Sequence, residues 1–447
     1  MLVRPRLEVS GGEGIAFVEL KAIPASRARE NNMKRGRLTA GGWLWALAVL
    51  AMAAVANAAS AKDYTVTVSA PDHDYREAPV RFTVAAPRDF AGAALFEKDT
   101  PIPVQARLLP GSKAEVTFIV HSLAKGQSEK YRLMFERNAR PVPESGVIID
   151  KTAAGDVDIR INNELFARYD THTGPNKPYF YPVNGPGGKQ MVRHYPFETL
   201  PNESHDHPHH RGLWFTHGDV NGEDYWSEEP RAAKTVNTGF EEVQSGPVCG
   251  YFRAKTDWIS REGKKIAEDT REVRVYNVPD GRLMDFEVTM KPVGGPLVFG
   301  DTKEGSFGLR VPDSIRVVAG KEKGQGHIET SEGIRDAATW GKPANWVDYY
   351  GPVEGETLGI AIFDSPSNFR HPETWHVRDY GLFAANPFGL HDFNNDKQHP
   401  KLGEHTVPEG QTITFRYRLF FHKGTTAEAN IPAVWSAYSD PPKVEVR

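Results

Sequence analysis

The chain has 447 residues, with 54 lysines and arginines against 58 aspartates and glutamates. The resulting net charge of −4, with no long basic run, argues against nucleic acid or an anionic membrane as partner. The one cysteine, Cys249, excludes an intramolecular disulfide framework, while 41 glycines, 33 prolines and 11% aromatic residues suit short strands joined by many turns.

In chain order, residues 1–32 look like no targeting segment and read as an over-extended start. Met33-Lys34-Arg35-Gly36-Arg37 is a basic head, Gly41 to Val55 is almost wholly apolar, and Ala56-Asn57-Ala58 and Ala59-Ser60-Ala61 carry the small-x-small pattern that signal peptidase cuts after. Residues 33–61 are therefore expected to be a cleaved signal peptide, and the mature chain periplasmic or extracellular. The apolar run is shorter than the roughly 20 residues that span a bilayer, so no stable membrane insertion is expected once the signal is removed.

From residue 62 to 140, Tyr64–Val68, Val80–Val84, Ala114–Ile119 and Tyr131–Phe135 alternate apolar and polar residues, as half-buried strands do. A small β-sandwich domain is expected there, with Arg140–Gly146 as a linker. Residues 147–425 continue the alternation, clearly in Val157–Ile161, Glu272–Tyr276, Met284–Met290 and Thr412–Phe421, and are expected to form a large antiparallel β-sandwich. Residues 426–447 read as a C-terminal tail with a short helix over Ala427–Tyr438, weakened by Pro432. The fold class is all-β. Cys249 sits in a strand-like run, Pro247–Tyr251, and is read as a buried structural thiol.

The unusual feature is Ser204–Gly218, which holds His205, His207, His209, His210 and His217. Three readings compete. His205, His207 and His209 alternate and could ligate a divalent metal, although Pro208 interrupts a regular strand. One or two of the imidazoles could instead move protons with a carboxylate partner. The cluster could also be a structural hydrogen-bonding knot.

The surroundings favour a site. Upstream, a Pro/Gly-rich loop carries Tyr179 and Tyr181. Arg211, Trp214 and Trp226 lie in and just after the cluster. Farther on come Glu304 at a strand start, Asp348 in an aromatic run, His371, Trp375 and Arg378 in a polar, aromatic stretch, and Asn386. Aromatic faces stack on sugar rings, while carboxylates, amides and guanidinium groups bond hydroxyls, so Tyr179, Tyr181, Arg211, Trp214, His217, Trp226, Asp348, His371, Trp375, Arg378 and Asn386 are candidate carbohydrate-binding residues.

Asp206-His207-Pro208-His209-His210-Arg211-Gly212-Leu213-Trp214, with Lys303-Glu304-Gly305, Tyr380-Gly381 and Asn386-Pro387-Phe388-Gly389, resembles the PmoA-family proteins over roughly residues 150–425. That family often carries the label "methane oxygenase". The label implies a protein crossing the bilayer many times, and this chain has no apolar span beyond its signal. A second likeness, of the Pro178–Pro186 loop followed by a His-containing turn and a Trp, is to aldose epimerases of the galactose mutarotase-like kind. It implies a large supersandwich using a histidine acid, His209 or His210, and a carboxylate base, Glu304, on a sugar.

Three functions follow as expectations. The first is an exported enzyme acting on carbohydrate by His/carboxylate acid–base chemistry, of epimerase, lyase or hydrolase type. The second is a non-catalytic carbohydrate-binding protein. The third is a metal-dependent oxidoreductase on His205, His207 and His209. No cofactor is expected for the first two.

Overall fold

The computed structural model describes residues 63–137, 145–172, 174–230, 232–320 and 322–447. The expected over-extended start, the signal peptide and most of the expected linker lie outside them. The described chain is all-β.

Residues 63–137, joined by one C-terminal strand, build two facing sheets. One has five strands in the order Lys443–Val446, Tyr64–Ser69, Ser128–Glu136, Gly92–Glu97 and Thr100–Ile102, and the other has three, Tyr75–Ala85, Lys113–Leu123 and Val104–Leu109. Tyr64, Val66 and Val68 are buried and their neighbours are not, the period-2 pattern of a strand with one wet face. The C-terminal residues return to this sandwich. Pro432 sits in the first turn of the helix Ile431–Ser439, where its missing N–H costs no bond, and Lys443–Val446 then pairs antiparallel with Tyr64–Ser69.

The rest forms two eight-stranded antiparallel sheets. One runs Lys234–Gln244, Cys249–Ile259, Lys265–Tyr276, Arg282–Pro292, Ile413–Lys423, Glu356–Asp364, Trp346–Val353 and His327–Thr330. The other, here the site sheet, runs Trp375–Val377, Leu382–Ala385, Gly305–Arg310, Leu213–His217, Tyr179–Val183, Glu164–Asp170, Val157–Ile161 and Val147–Lys151. Their facing sides share one apolar core that includes Leu213, Phe215, Phe286, Phe307, Leu309, Phe415 and Tyr417. Cys249 is buried and reduced. No helix among the described residues is long and apolar enough to cross a membrane.

The central strands of the site sheet break the alternation. Every residue of Leu213–His217 and of Gly305–Arg310 is buried. Both faces are therefore covered, one by the core and the other by loops. Trp214 lies on the loop-covered face in a small cluster with Tyr179, Trp226, Leu382 and Ala384. Gly308 is a requirement of that cover, since a Cβ there would lie 3.1 Å from the Trp226 ring and 3.3 Å from that of Trp214.

Candidate functional site

The loops over the outer face of the site sheet enclose a cleft of about 560 Å³ lined by His207, His209, His210, Gly218, Asp224, Trp226, Ser227, Lys303, Glu304, His376, Arg378 and Tyr380. Four separate stretches of chain meet there. Of the candidates from sequence, it gathers His209, His210, Glu304, Trp226 and Arg378, together with His207.

The histidine loop is held from beneath by two fully buried arginines. Arg193 Nη1 donates to Asp206 Oδ1 (2.6 Å) and its Nη2 to the carbonyls of Asp206 and His207 (2.8 and 3.0 Å). Arg310 Nη2 donates to the same Asp206 oxygen (2.8 Å), and its Nη1 lies 3.2 Å from His210 Nδ1. Burial works to raise the pKa of the Asp206 carboxyl, but the hydrogen bond from His207 and then these cations hold it far below the usual carboxylate range.

The arginine contact fixes the chemistry of His210. A guanidinium can only donate, so Nδ1 accepts and the neutral ring carries its proton on Nε2. Burial, then the charge that His209 would carry if protonated and the Arg310 guanidinium, lower its pKa well below the ordinary value, and burial pushes His209 down to about 4. Both imidazoles are thus neutral near pH 7. Such rings can accept a proton or donate a hydrogen bond, but they are poorly suited to the acid role that the epimerase likeness implied for them.

His207 is placed differently. It takes a left-handed backbone (φ 43°), and its ring stacks between His210 (4.7 Å) and Tyr380 (5.5 Å), nearly parallel to both. Its Nδ1 lies 3.2 Å from Asp206 Oδ1. A carboxylate at Nδ1 favours the tautomer with the proton there, which leaves Nε2 as the basic nitrogen.

Glu304 lines the same cleft. Asn386 Nδ2 donates to the carbonyls of Thr302 and Lys303, each at 2.9 Å, and so clamps the turn that carries it. Asn386 is a positioning residue rather than a ligand contact. Gly218 N bonds the Glu304 carbonyl at 2.6 Å, an approach a side chain would block, because a Cβ at Gly218 would lie 2.7 Å from that of Glu304. Lys303 Nζ is 3.2 Å from Glu304 Oε1.

The remaining candidates serve the structure. Arg211 grips Glu228 with two bonds (2.6 and 3.0 Å), and the buried Lys177 reaches Trp226 O (2.8 Å) and Glu228 (3.3 Å), so these two cations hold the turn that presents Trp226. Burial lowers the Lys177 pKa to about 8. Tyr179 and Trp214 pack in the layer beneath the cleft, and Tyr181 stacks on Phe197. His217 is buried in the sheet, bonded to Gly300 O (2.8 Å) and Ser306 Oγ (3.2 Å). Trp375 faces the core and donates to Ala344 O. His371 pairs with Asp364 (2.6 Å), and Asp348 with His422 (3.0 Å) and Thr426 (2.7 Å); none of these lines the cleft.

The metal reading needs His205, His207 and His209 to converge, and they do not. His205 turns away to Leu200 O (3.2 Å) and packs on Tyr195, and the His207 and His209 rings are 5.7 Å apart. Among the described residues, the three side chains whose ligand atoms gather within reach of one cation are Glu77, His121 and Asp280, in another part of the chain. Asp280 there already accepts a bond from Arg76 (2.9 Å).

Sequence reasoning missed His376 and Tyr380. The signal was present: along Trp375-His376-Val377-Arg378-Asp379-Tyr380, the apolar Trp375 and Val377 share one face, and His376, Arg378 and Tyr380 share the other. His376 is 1% exposed, and its ring nitrogens are buried beside the Lys303 backbone without a hydrogen bond of good geometry. Burial, aided by Arg378, lowers its pKa to about 3. His210 Nε2 and Trp226 Nε1 are likewise buried and unpartnered. No curated protein matches the chain. A family model does match, over residues 156–436, and the chain therefore belongs to that family, a family of unknown function designated DUF6807.

Proposed function

We propose that the protein is an exported enzyme that acts on carbohydrate by acid–base chemistry in the cleft of His207 and Glu304. One observation carries the reading. His210, Trp226 and His376, each nearly fully buried and each with a ring nitrogen that makes no good hydrogen bond within the protein, line a cleft that also holds a carboxylate-oriented histidine and a second carboxylate. An unmade hydrogen bond on a buried group costs about 1–3 kcal/mol, and several gathered round one cleft are the complement of a ligand rich in hydroxyls. The volume falls within the roughly 300–1,000 Å³ of ordinary small-molecule sites.

In this reading His207 Nε2 exchanges a proton with the substrate while Asp206 steadies the imidazolium that forms. Glu304 is the second proton-transfer group. His210 and His376 bond substrate oxygens, and Trp226 and Tyr380 supply ring surface. Epimerisation, elimination and hydrolysis all use such a pair, and the product identifies which one operates.

The test is a screen of the mature chain, residues 62–447, on neutral and acidic oligosaccharides with product analysis. His207→Asn and Glu304→Gln should each lower turnover by about 10²-fold or more, the usual weight of a positioned acid or base, at an unchanged melting temperature. Binding without turnover would make the protein a carbohydrate-binding module. Turnover indifferent to both substitutions would remove the pair from the mechanism.

A further inference from the structure

We infer that the cleft selects a sugar bearing a negative charge, a carboxylate or a sulfate, and that Arg378 recognises it. The inference rests on the preceding reading that the cleft takes carbohydrate. Apart from histidines, its charged lining residues are Asp224, Lys303, Glu304 and Arg378. Three of them are already engaged. Lys303 and Glu304 pair with each other, and the Asp224 carboxylate accepts from Trp226 N (2.8 Å), Ser227 N (3.0 Å) and the Ser227 hydroxyl.

Arg378 is different. Among the described residues its guanidinium forms neither an ion pair nor a hydrogen bond. It is held by rings, 5.7 Å from the centroid of Trp340 and 5.2 Å from that of Tyr380. Its backbone is fixed, since its N–H donates to Leu382 O (2.7 Å) and its carbonyl accepts from the buried Tyr349 hydroxyl (3.2 Å). Contact through the π faces leaves the N–H donors of a guanidinium unspent.

A cation positioned in this way, with its donors free, is a preorganised receptor for a planar or tetrahedral oxyanion. Carboxylate and sulfate accept two parallel N–H bonds from an arginine fork, whereas a neutral hydroxyl uses only part of that capacity. A second, independent feature lies on the same wall. His376, two residues earlier in the chain, is almost completely buried, and its ring makes no hydrogen bond of good geometry to another side chain. As a neutral imidazole it adds one N–H donor beside the guanidinium.

Calorimetric titration of the mature chain with three sets of oligosaccharides of equal length, one uronate-containing, one sulfated and one neutral, tests this. The wild type should bind one charged set at least about tenfold more tightly than the neutral set. Arg378→Met, which keeps an unbranched apolar side chain between the rings, should weaken the charged set by roughly ten- to a hundredfold and leave the neutral set nearly unchanged. Arg378→Lys should restore part of the affinity. Preference for sulfate over uronate, or the reverse, identifies the anion. Equal affinity for charged and neutral sets, or equal loss of both in Arg378→Met, overturns the inference while leaving the carbohydrate reading standing. No binding by the wild type in any set overturns both. Unfolding curves of each variant confirm that the comparison is between folded proteins.

Discussion

Asp206 Oδ1 receives Arg193, Arg310 and His207 at once, and this single atom sets the difference between the histidines of the cleft. His207 gains a carboxylate and keeps a basic Nε2, whereas His210 gains an arginine and is fixed as a neutral donor. The sequence shows Asp206 adjacent to His207. It does not show that His207 adopts a left-handed backbone, nor that two arginines more than ten residues away in each case close on the carboxylate, so it could not rank the imidazoles. Asn386 is a second case in which a polar residue near the site acts through backbone. Asn386→Asp, of the same shape, turns a donor to two carbonyls into an acceptor facing them. The expected result is a fall in kcat of about tenfold with KM little changed, because the turn carrying Glu304 loosens while the binding surface stays. A rise in KM at constant kcat would instead make Asn386 a ligand contact.

Strand alternation carries the same lesson at the scale of elements. It marks Tyr64–Val68 and Met284–Met290, which lie within the strands Tyr64–Ser69 and Arg282–Pro292, and along Trp375–Tyr380 it separates core from cleft, provided that the polar residues rather than the tryptophan are taken as the site face. Asp348 and His371 carry a site-like composition yet each is satisfied away from the cleft, Asp348 by His422 and His371 by Asp364. His217 belongs to the strand as structure, and its acid behaviour follows from that. Burial lowers its pKa from 6.5 to about 4, while the bond to Gly300 O works in the opposite direction. The unfolded chain therefore binds the proton more readily than the folded one. The stability contributed by the neutral ring is complete above pH 6.5 and is lost as pH falls through about 4. His217→Gln should destabilise the protein at pH 7, and the gap from wild type should narrow by up to about 3 kcal/mol between pH 6.5 and 4 in urea unfolding. A gap independent of pH would contradict this assignment.

For the whole molecule, the all-β class was legible because nearly every long strand has one apolar face, and that pattern is local. Two features were not legible because they are assembled from distant parts of the chain. The strand Lys443–Val446 is too short and too mixed in polarity to be read as such, and it becomes one by pairing with Tyr64–Ser69 at the other end of the described chain. The cleft unites the histidine loop, the Trp226 turn, the Glu304 turn and the Trp375–Tyr380 strand end, and it sits on the outer face of the site sheet, which sequence patterning alone would leave to solvent. The central claim is that a carbohydrate occupies that outer cleft against His207, His210 and His376. It is tested most directly by imidazole nuclear magnetic resonance of residues 62–447 during titration with the oligosaccharide set that binds. The account predicts that the ring signals of His207, His210 and His376 shift together and saturate, with those of His371 and His422 unmoved. Saturable binding that shifts only the distant histidines, or leaves the cleft histidines unchanged, would contradict it.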